Sequence, residues 1–273
     1  MSKLLKTLCC FSRSSTTATT TTTRSVATAA AAATTSTPKP SVHLDETKPT
    51  TSTPSTMGSI PTPSSSAVNP ATETFLSLLE SRRSIYPLTK ALPIPEARVQ
   101  DIVSRALQAV PSSFNSQSNR AVVLFGAAHD KLWADITTGA LRKVVPAEQW
   151  EPTGQKMAMF GGAAGTVLFF EDQEPVKKLQ EGFPMYADRF PTWAAHSSAM
   201  LQLAIWTALE SEGLGANLQH YNPLIDAQVA EEWKIPSSWT LTAQLVFGGR
   251  VEGQDPGEKT FQPLEEKLKV FGA

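Results

Sequence analysis

"WAAHSSAMLQLAIWTALESE", residues 193–212, is apolar on nearly every side of a helical wheel. A helix lying on a surface keeps a polar face, so a run with none must be enclosed by protein. In a domain of modest size such a helix is central, and a second subunit could share in covering it. "GLGANLQHY" follows at 213–221, where Gly213 and Gly215 suit the left-handed positions that end a helix. His196, within the run, reads as a core histidine rather than a metal ligand.

Working outward, the spacing of Phe75, Leu78 and Leu79 predicts a helix over 71–82, capped by Thr72 or Thr74. A second helix starts near Pro95, with Val99, Ile102, Val103 and Leu107 on one side. "RAVVLFG" (120–126) and "GTVLFFE" (165–171) are continuous apolar runs of the kind found in buried strands, and "AHDKLWADITTGALRKVV" between them reads as a helix. "WTLTAQLVFGG" (239–249) alternates and then turns apolar, as a central strand does. Helices gathered early, with strands scattered between, indicate an α+β fold.

Composition divides the chain. Residues 1–70 are dominated by Ser, Thr, Ala and Pro and carry six basic against two acidic residues. Such a segment has too little apolar surface to offset the entropy of ordering, so disorder is expected there and one folded domain over 71–273. The first acid of the chain is Asp45, and Leu4, Leu5, Leu8 and Phe11 share one face of a basic amphipathic start. That is the make-up of a mitochondrial transit peptide, the alternative being a cytoplasmic low-complexity tail. Acylation at Cys9 or Cys10 is the weaker reading, since Ser2 stands where myristoylation needs glycine. The folded part is mildly acidic and has no basic run, which argues against nucleic-acid binding. No stretch is long and apolar enough to predict a membrane span.

Cys9 and Cys10 are the only cysteines, so the folded part offers no thiol nucleophile, disulfide or cysteine metal site. G-x-S-x-G, the phosphate-binding P-loop and H-E-x-x-H are all missing, and the histidines show no ligand spacing. "GLGANL" lacks the third glycine of a dinucleotide fingerprint and follows a helix rather than a strand. No catalytic side chain and no metal site are nominated, which leaves any chemistry to a cofactor. "SRRS" at 81–84 sets two guanidinium forks and a hydroxyl where a helix ends, a combination suited to phosphate. "PSSFNSQSNR" (111–120) carries seven hydroxyl or amide side chains and no glycine, enough directional groups to read a polar heterocycle edge. "GEKTF" offers Lys259 as a further phosphate partner.

In this order, "SRRSIYPL", "PSSFNSQSNR", a buried helix ending in "GLGANLQHYN", "AQLVFGG" and "EKTF" resemble the nitroreductase superfamily, and most closely its fungal and bacterial branch of short members. The resemblance covers about residues 72–271. It implies an FMN-binding α+β homodimer, with a central mixed or antiparallel sheet flanked by helices. The implied reaction uses NADH or NADPH to reduce a nitroaromatic or quinone acceptor by ping-pong hydride transfer through the flavin N5. It also implies roles. Arg82, Arg83 and Ser84 match the motif that holds the ribityl phosphate and pyrimidine edge. Ser112, Ser113, Asn115 and Gln117 match a loop that reaches the flavin largely from the partner subunit. Gln219 and His220 match the segment near the reactive nitrogen, and Lys259 a C-terminal phosphate ligand. Tyr86 departs from the pattern, standing where many members have Lys or Arg. The same residues would also serve a non-catalytic FMN-binding protein that senses redox state, and an interaction module without flavin is the third reading.

Overall fold

Asn69 opens the first helix, accepting the Ala71 N–H on its side chain, and Pro70 takes a position where no N–H is needed. The cap is therefore Asn69, neither Thr72 nor Thr74. The computed structural model describes residues 68–254 and 256–272, so the predicted leader and nearly all of the low-complexity segment lie outside the described residues.

Helix α1 (Pro70–Ser81) leads to the short strand β1 (Leu88–Thr89) and to α2 (Glu96–Ala109). After the turn at Ser113–Asn115 comes β2 (Asn119–Phe125). The helical stretch that follows has three parts: α3 (Gly126–Asp130), a π-helical segment (Lys131–Thr137) and α4 (Thr138–Leu141). Then come α5 (Trp150–Gly161), β3 (Gly165–Asp172), α6 (Gln173–Gly182) and α7 (Phe190–Ser211). β4 (Gly215–Gln219), α8 (Asp226–Trp233), β5 (Trp239–Arg250) and α9 (Leu264–Lys267) complete the described chain.

β5 lies at the centre of the sheet. It pairs with β3 along Trp239–Phe247, with β4 along Gln244–Gly248 and with β1 through Gly249 and Arg250. β2 pairs outside β3, and every pairing is antiparallel. Alternation sends Val167, Phe169, Leu245 and Phe247 to one face, where α2 (Val99, Ile102, Val103) and α7 (Leu201, Ile205, Leu209) cover them. Leu168, Phe170, Leu241 and Val246 face the other way, onto Trp133, Phe160 and Val229. β2, read as a buried strand, is an edge strand on which only Leu124 is fully buried.

Two expectations about the long helix change. α7 is not enclosed within one chain: Leu201 and Ile205 are buried, while Met200 and Leu203 are each 43% exposed on its outer side. His196 is exposed, and the core histidine is His129. Its Nε2–H faces the Phe160 carbonyl at 3.1 Å, and Nδ1 takes the Thr166 hydroxyl at 2.9 Å, while that same oxygen accepts the Trp133 indole N–H. This satisfied neutral ring is held down to a pKa of about 4, chiefly by burial.

Candidate functional site

α1 ends at the arginine motif, and three hydrogen bonds pin that motif to the rest of the chain. The Arg83 N–H donates to Glu210 Oε2 (2.9 Å), and the Ile85 N–H to the Ala216 carbonyl (2.9 Å). Buried Asn217 then donates its side-chain amide to the Ile85 carbonyl (2.8 Å). The arginines are thereby laid along β4 and the C-terminal end of α7. Gly213 has the left-handed backbone (φ +87°) expected of a helix terminator. Gly215 does not. It is in β4, and its need for glycine is steric, since a Cβ there would lie 2.6 Å from Leu88 Cδ2 and 3.0 Å from Ile85 Cγ2.

The corner so formed is cationic. Arg82 stacks on the Trp206 ring, its guanidinium carbon 4.4 Å from the centroid. Arg83 donates to the Gly257 carbonyl, and Lys259 to the Glu80 carbonyl at the end of α1, which draws the C-terminal segment over the motif. Lys90, Arg98, Arg120 and Lys131 all have carboxylate partners. Among the described residues, Arg82, Arg83 and Lys259 have none within ion-pair range. Beside them opens a cleft of about 530 Å³ lined by Ser84, Ile85, Tyr86, Pro87, Gln254 and Gly257. Three cations without a carboxylate, a hydroxyl and an open cleft fit a phosphate group. Glu210 beneath them is buried, which raises its pKa, while the Arg83 N–H, Arg250 and Arg82 oppose that rise.

Gln219 joins this corner through Asn217, donating to its Oδ1 at 2.8 Å. Buried Gln244 on β5 accepts the Tyr221 N–H at 2.8 Å and so fixes the chain just past His220. His220 is exposed at the end of β4, its pKa lowered by partial desolvation. Asn217, Glu210 and Gln244 have no place in the motif reading. Their signal is faint: polar residues inside otherwise apolar helix and strand runs.

Ser112, Ser113, Asn115 and Gln117 lie elsewhere. Their loop closes on itself: the Asn115 N–H bonds the Ser112 carbonyl, the Ser116 N–H bonds the Ser113 carbonyl, and the Gln117 N–H bonds Ser112 Oγ. Its tip packs through Phe114 on Phe190 and Trp193, at the N-terminal end of α7. The arginine motif packs on Trp206 and Glu210, at the other end. At 1.5 Å per residue, Trp193 and Trp206 are roughly 20 Å apart along the helix. Within one chain, the structure joins Arg82, Arg83, Ser84, Gln219 and Lys259 and holds the 112–117 loop away from them.

The fold is thus an antiparallel sheet between helical layers, with a cationic cleft at one end of its long helix and a polar loop at the other. Residues 79–249 match the nitroreductase family, and the chain belongs to it. HBN1 of Saccharomyces cerevisiae is 43% identical over 203 residues, covering 74% of this chain and 98% of that protein. The nitroreductase FRM2 of the same yeast is 40% identical over 192 residues, or 70% of this chain and 94% of FRM2. The nitroreductase CinD from Lactococcus lactis, solved with chloramphenicol, superposes with a TM-score of 0.66 at 44% identity, over 72% of this chain and 98% of CinD.

Proposed function

We propose that the protein is an FMN-dependent oxidoreductase that works as a homodimer, taking reducing equivalents from NADH or NADPH and passing them to a nitroaromatic or quinone. One observation carries this reading: the two halves of the predicted cofactor site sit at opposite ends of α7, whose middle exposes Met200 and Leu203. A two-fold axis through those residues would run a second α7 antiparallel to the first. The 112–117 loop of one chain would then meet the arginine corner of the other, giving two complete sites per dimer. Apolar residues exposed in mid-helix are what such an interface covers. CinD has been solved with chloramphenicol and with 4-nitrophenol, both nitroaromatics, which supports that class of acceptor here.

Bound FMN would supply the hydride chemistry. The chain's own groups have the other tasks. Arg82, Arg83, Ser84 and Lys259 would neutralise the phosphate. Gln219 and His220 would border the ring, and Ser112, Ser113, Asn115 and Gln117 of the facing chain would read its polar edge. Tyr86 lines the cleft in place of a cation, so that position adds an aromatic ring and a hydroxyl rather than a charge.

The test is direct. Purified protein should be yellow and release FMN, and steady-state oxidation of NADH or NADPH should require 4-nitrophenol or a quinone, with ping-pong initial rates. FAD, or a colourless protein indifferent to added FMN, contradicts the proposal. FMN without turnover would assign the redox-sensing role instead. The address is a separate proposal. Residues 1–24 carry a reporter to mitochondria, and exchanging Leu4, Leu8 and Phe11 for Glu leaves it in the cytoplasm; import that persists refutes this.

A further inference from the structure

The loop Ser112–Gln117 carries an unusual backbone. Phe114 (φ 53°), Asn115 (φ 52°) and Gln117 (φ 48°) are all left-handed, and they are three of the four non-glycine residues of that kind among the described residues. Asparagine tolerates this region because its amide bonds locally. For a bulky side chain such as Phe it is a genuine outlier. The three hydrogen bonds that close the turn do not account for the choice of Phe. They run from the N–H groups of Asn115, Ser116 and Gln117 to Ser112 and Ser113, and glycine at 114 would permit all of them at lower conformational cost. What Phe adds is its ring. Although half-exposed, that ring lies 5.0 Å from Phe183, 5.4 Å from buried Phe190 and 6.1 Å from Trp193, nearly parallel to the last. Phe190 belongs to a small core of its own with Val176 and Ala194, so the anchorage is solid.

We infer that Phe114 is the positioning residue of the polar loop: its ring, docked on Phe183, Phe190 and Trp193, holds the left-handed turn that presents Asn115 and Gln117. Strained backbone of this sort persists where the surroundings over-determine it, and it gathers at binding sites. Phe114 itself need not touch the cofactor. It acts through the turn, and the turn lies between the aromatic anchor and the two amides. The inference deepens the FMN reading and rests on it for the identity of the ligand, while the tether is a property of the chain alone.

The experiment compares wild type, Phe114→Gly and Phe114→Tyr as full-length chains. Glycine keeps left-handed freedom and deletes the ring; tyrosine keeps the ring. In the protein stripped of flavin, hydrogen exchange at the Asn115, Ser116 and Gln117 amides should quicken about tenfold or more in Phe114→Gly. The β3 and β5 amides and the thermal midpoint should stay near wild type. The FMN dissociation constant, read by quenching of flavin fluorescence, should rise about tenfold in the glycine variant and stay within about threefold in the tyrosine variant. Phe183→Ala should shift both readouts the same way by less. Unchanged exchange at the three amides, or equal or tighter FMN binding by Phe114→Gly, overturns the inference. If the amides loosen but wild type itself binds no FMN, the tether stands and the FMN reading fails.

Discussion

The two ends of α7 are built by different means. At the C-terminal end the arginine motif has ordinary backbone, and buried groups from neighbouring elements hold it: Glu210, the Ala216 carbonyl and Asn217. At the N-terminal end the loop is held by its own short-range hydrogen bonds, three left-handed residues and one aromatic contact surface. Where cations are gathered side by side, buried groups hold the backbone that carries them and leave the charged heads without carboxylate partners. Where amides must be offered outward, it leaves the groups exposed and fixes the backbone instead. The first arrangement resists change at any one atom, and the second depends on its anchor.

The comparison breaks most completely if the ends cannot meet. Met200→Glu together with Leu203→Glu places charges on residues already 43% exposed, so the single chain should fold unchanged. A two-fold interface would bury those charges unpaired, at a cost of several kcal/mol per ion. Sedimentation should show a monomer, and FMN affinity should fall by roughly 100-fold or more. A dimer of wild-type affinity would remove the mid-helix axis from the account.

A smaller effect sharpens the C-terminal half. Arg82→Ala should weaken FMN binding by about 1.5–3 kcal/mol, the scale of a charge-assisted hydrogen bond. Riboflavin, which lacks the phosphate, should lose far less when titrated in parallel. Equal losses for the two would assign Arg82 to the ring rather than to the phosphate.

The smallest effect concerns the base of the loop. Glu171 on β3 stands opposite Asn119, buried, with Oε1 unpartnered among the described residues, and burial raises its pKa to about 7. The unfolded chain releases that proton near pH 4.5, so the native state binds more protons between about 4.5 and 7. Stability contributed by the neutral acid is therefore present at low pH and lost as pH rises through 7. Glu171→Gln should leave the thermal midpoint near wild type at pH 5 and raise it at pH 8, by about 1–3 kcal/mol of stability. A midpoint that falls at pH 8 would mean the carboxylate has a partner.

Much of this was legible in the sequence, for reasons that differ by element. Val99, Ile102 and Val103 recur at helical spacing because α2 buries one face, and "VLFF" (167–170) is an unbroken apolar run because helices cover both faces of β3. β2 carries nearly the same signature and proved an edge strand. An apolar run reports covered faces, and its edge is hidden from it. α7 misled similarly: exposed Met200 and Leu203 are indistinguishable from core residues in a chain read alone. β4 gives no strand signal because its five residues, beginning at a glycine, are too few to show a period, and Gly215 reads as a helix-ending glycine although the approach of Ile85 and Leu88 explains it. The candidates for the site could be named from motif order. That the chain splits them between the two ends of one helix could not, because that spacing exists only once α7 is packed.

The central claim is that the two ends belong to one site across two chains. Arg82→Ala spares the loop, and Asn115→Ala spares the cationic corner. Each homodimer should bind FMN poorly at both sites. A heterodimer carrying one change per chain has one doubly damaged site and one with every ligand intact. Co-expressed with two tags and purified through both, it should recover FMN to about half occupancy, as an isologous interface requires. A heterodimer as empty as its parents would show that the loop serves its own chain, and would contradict the account.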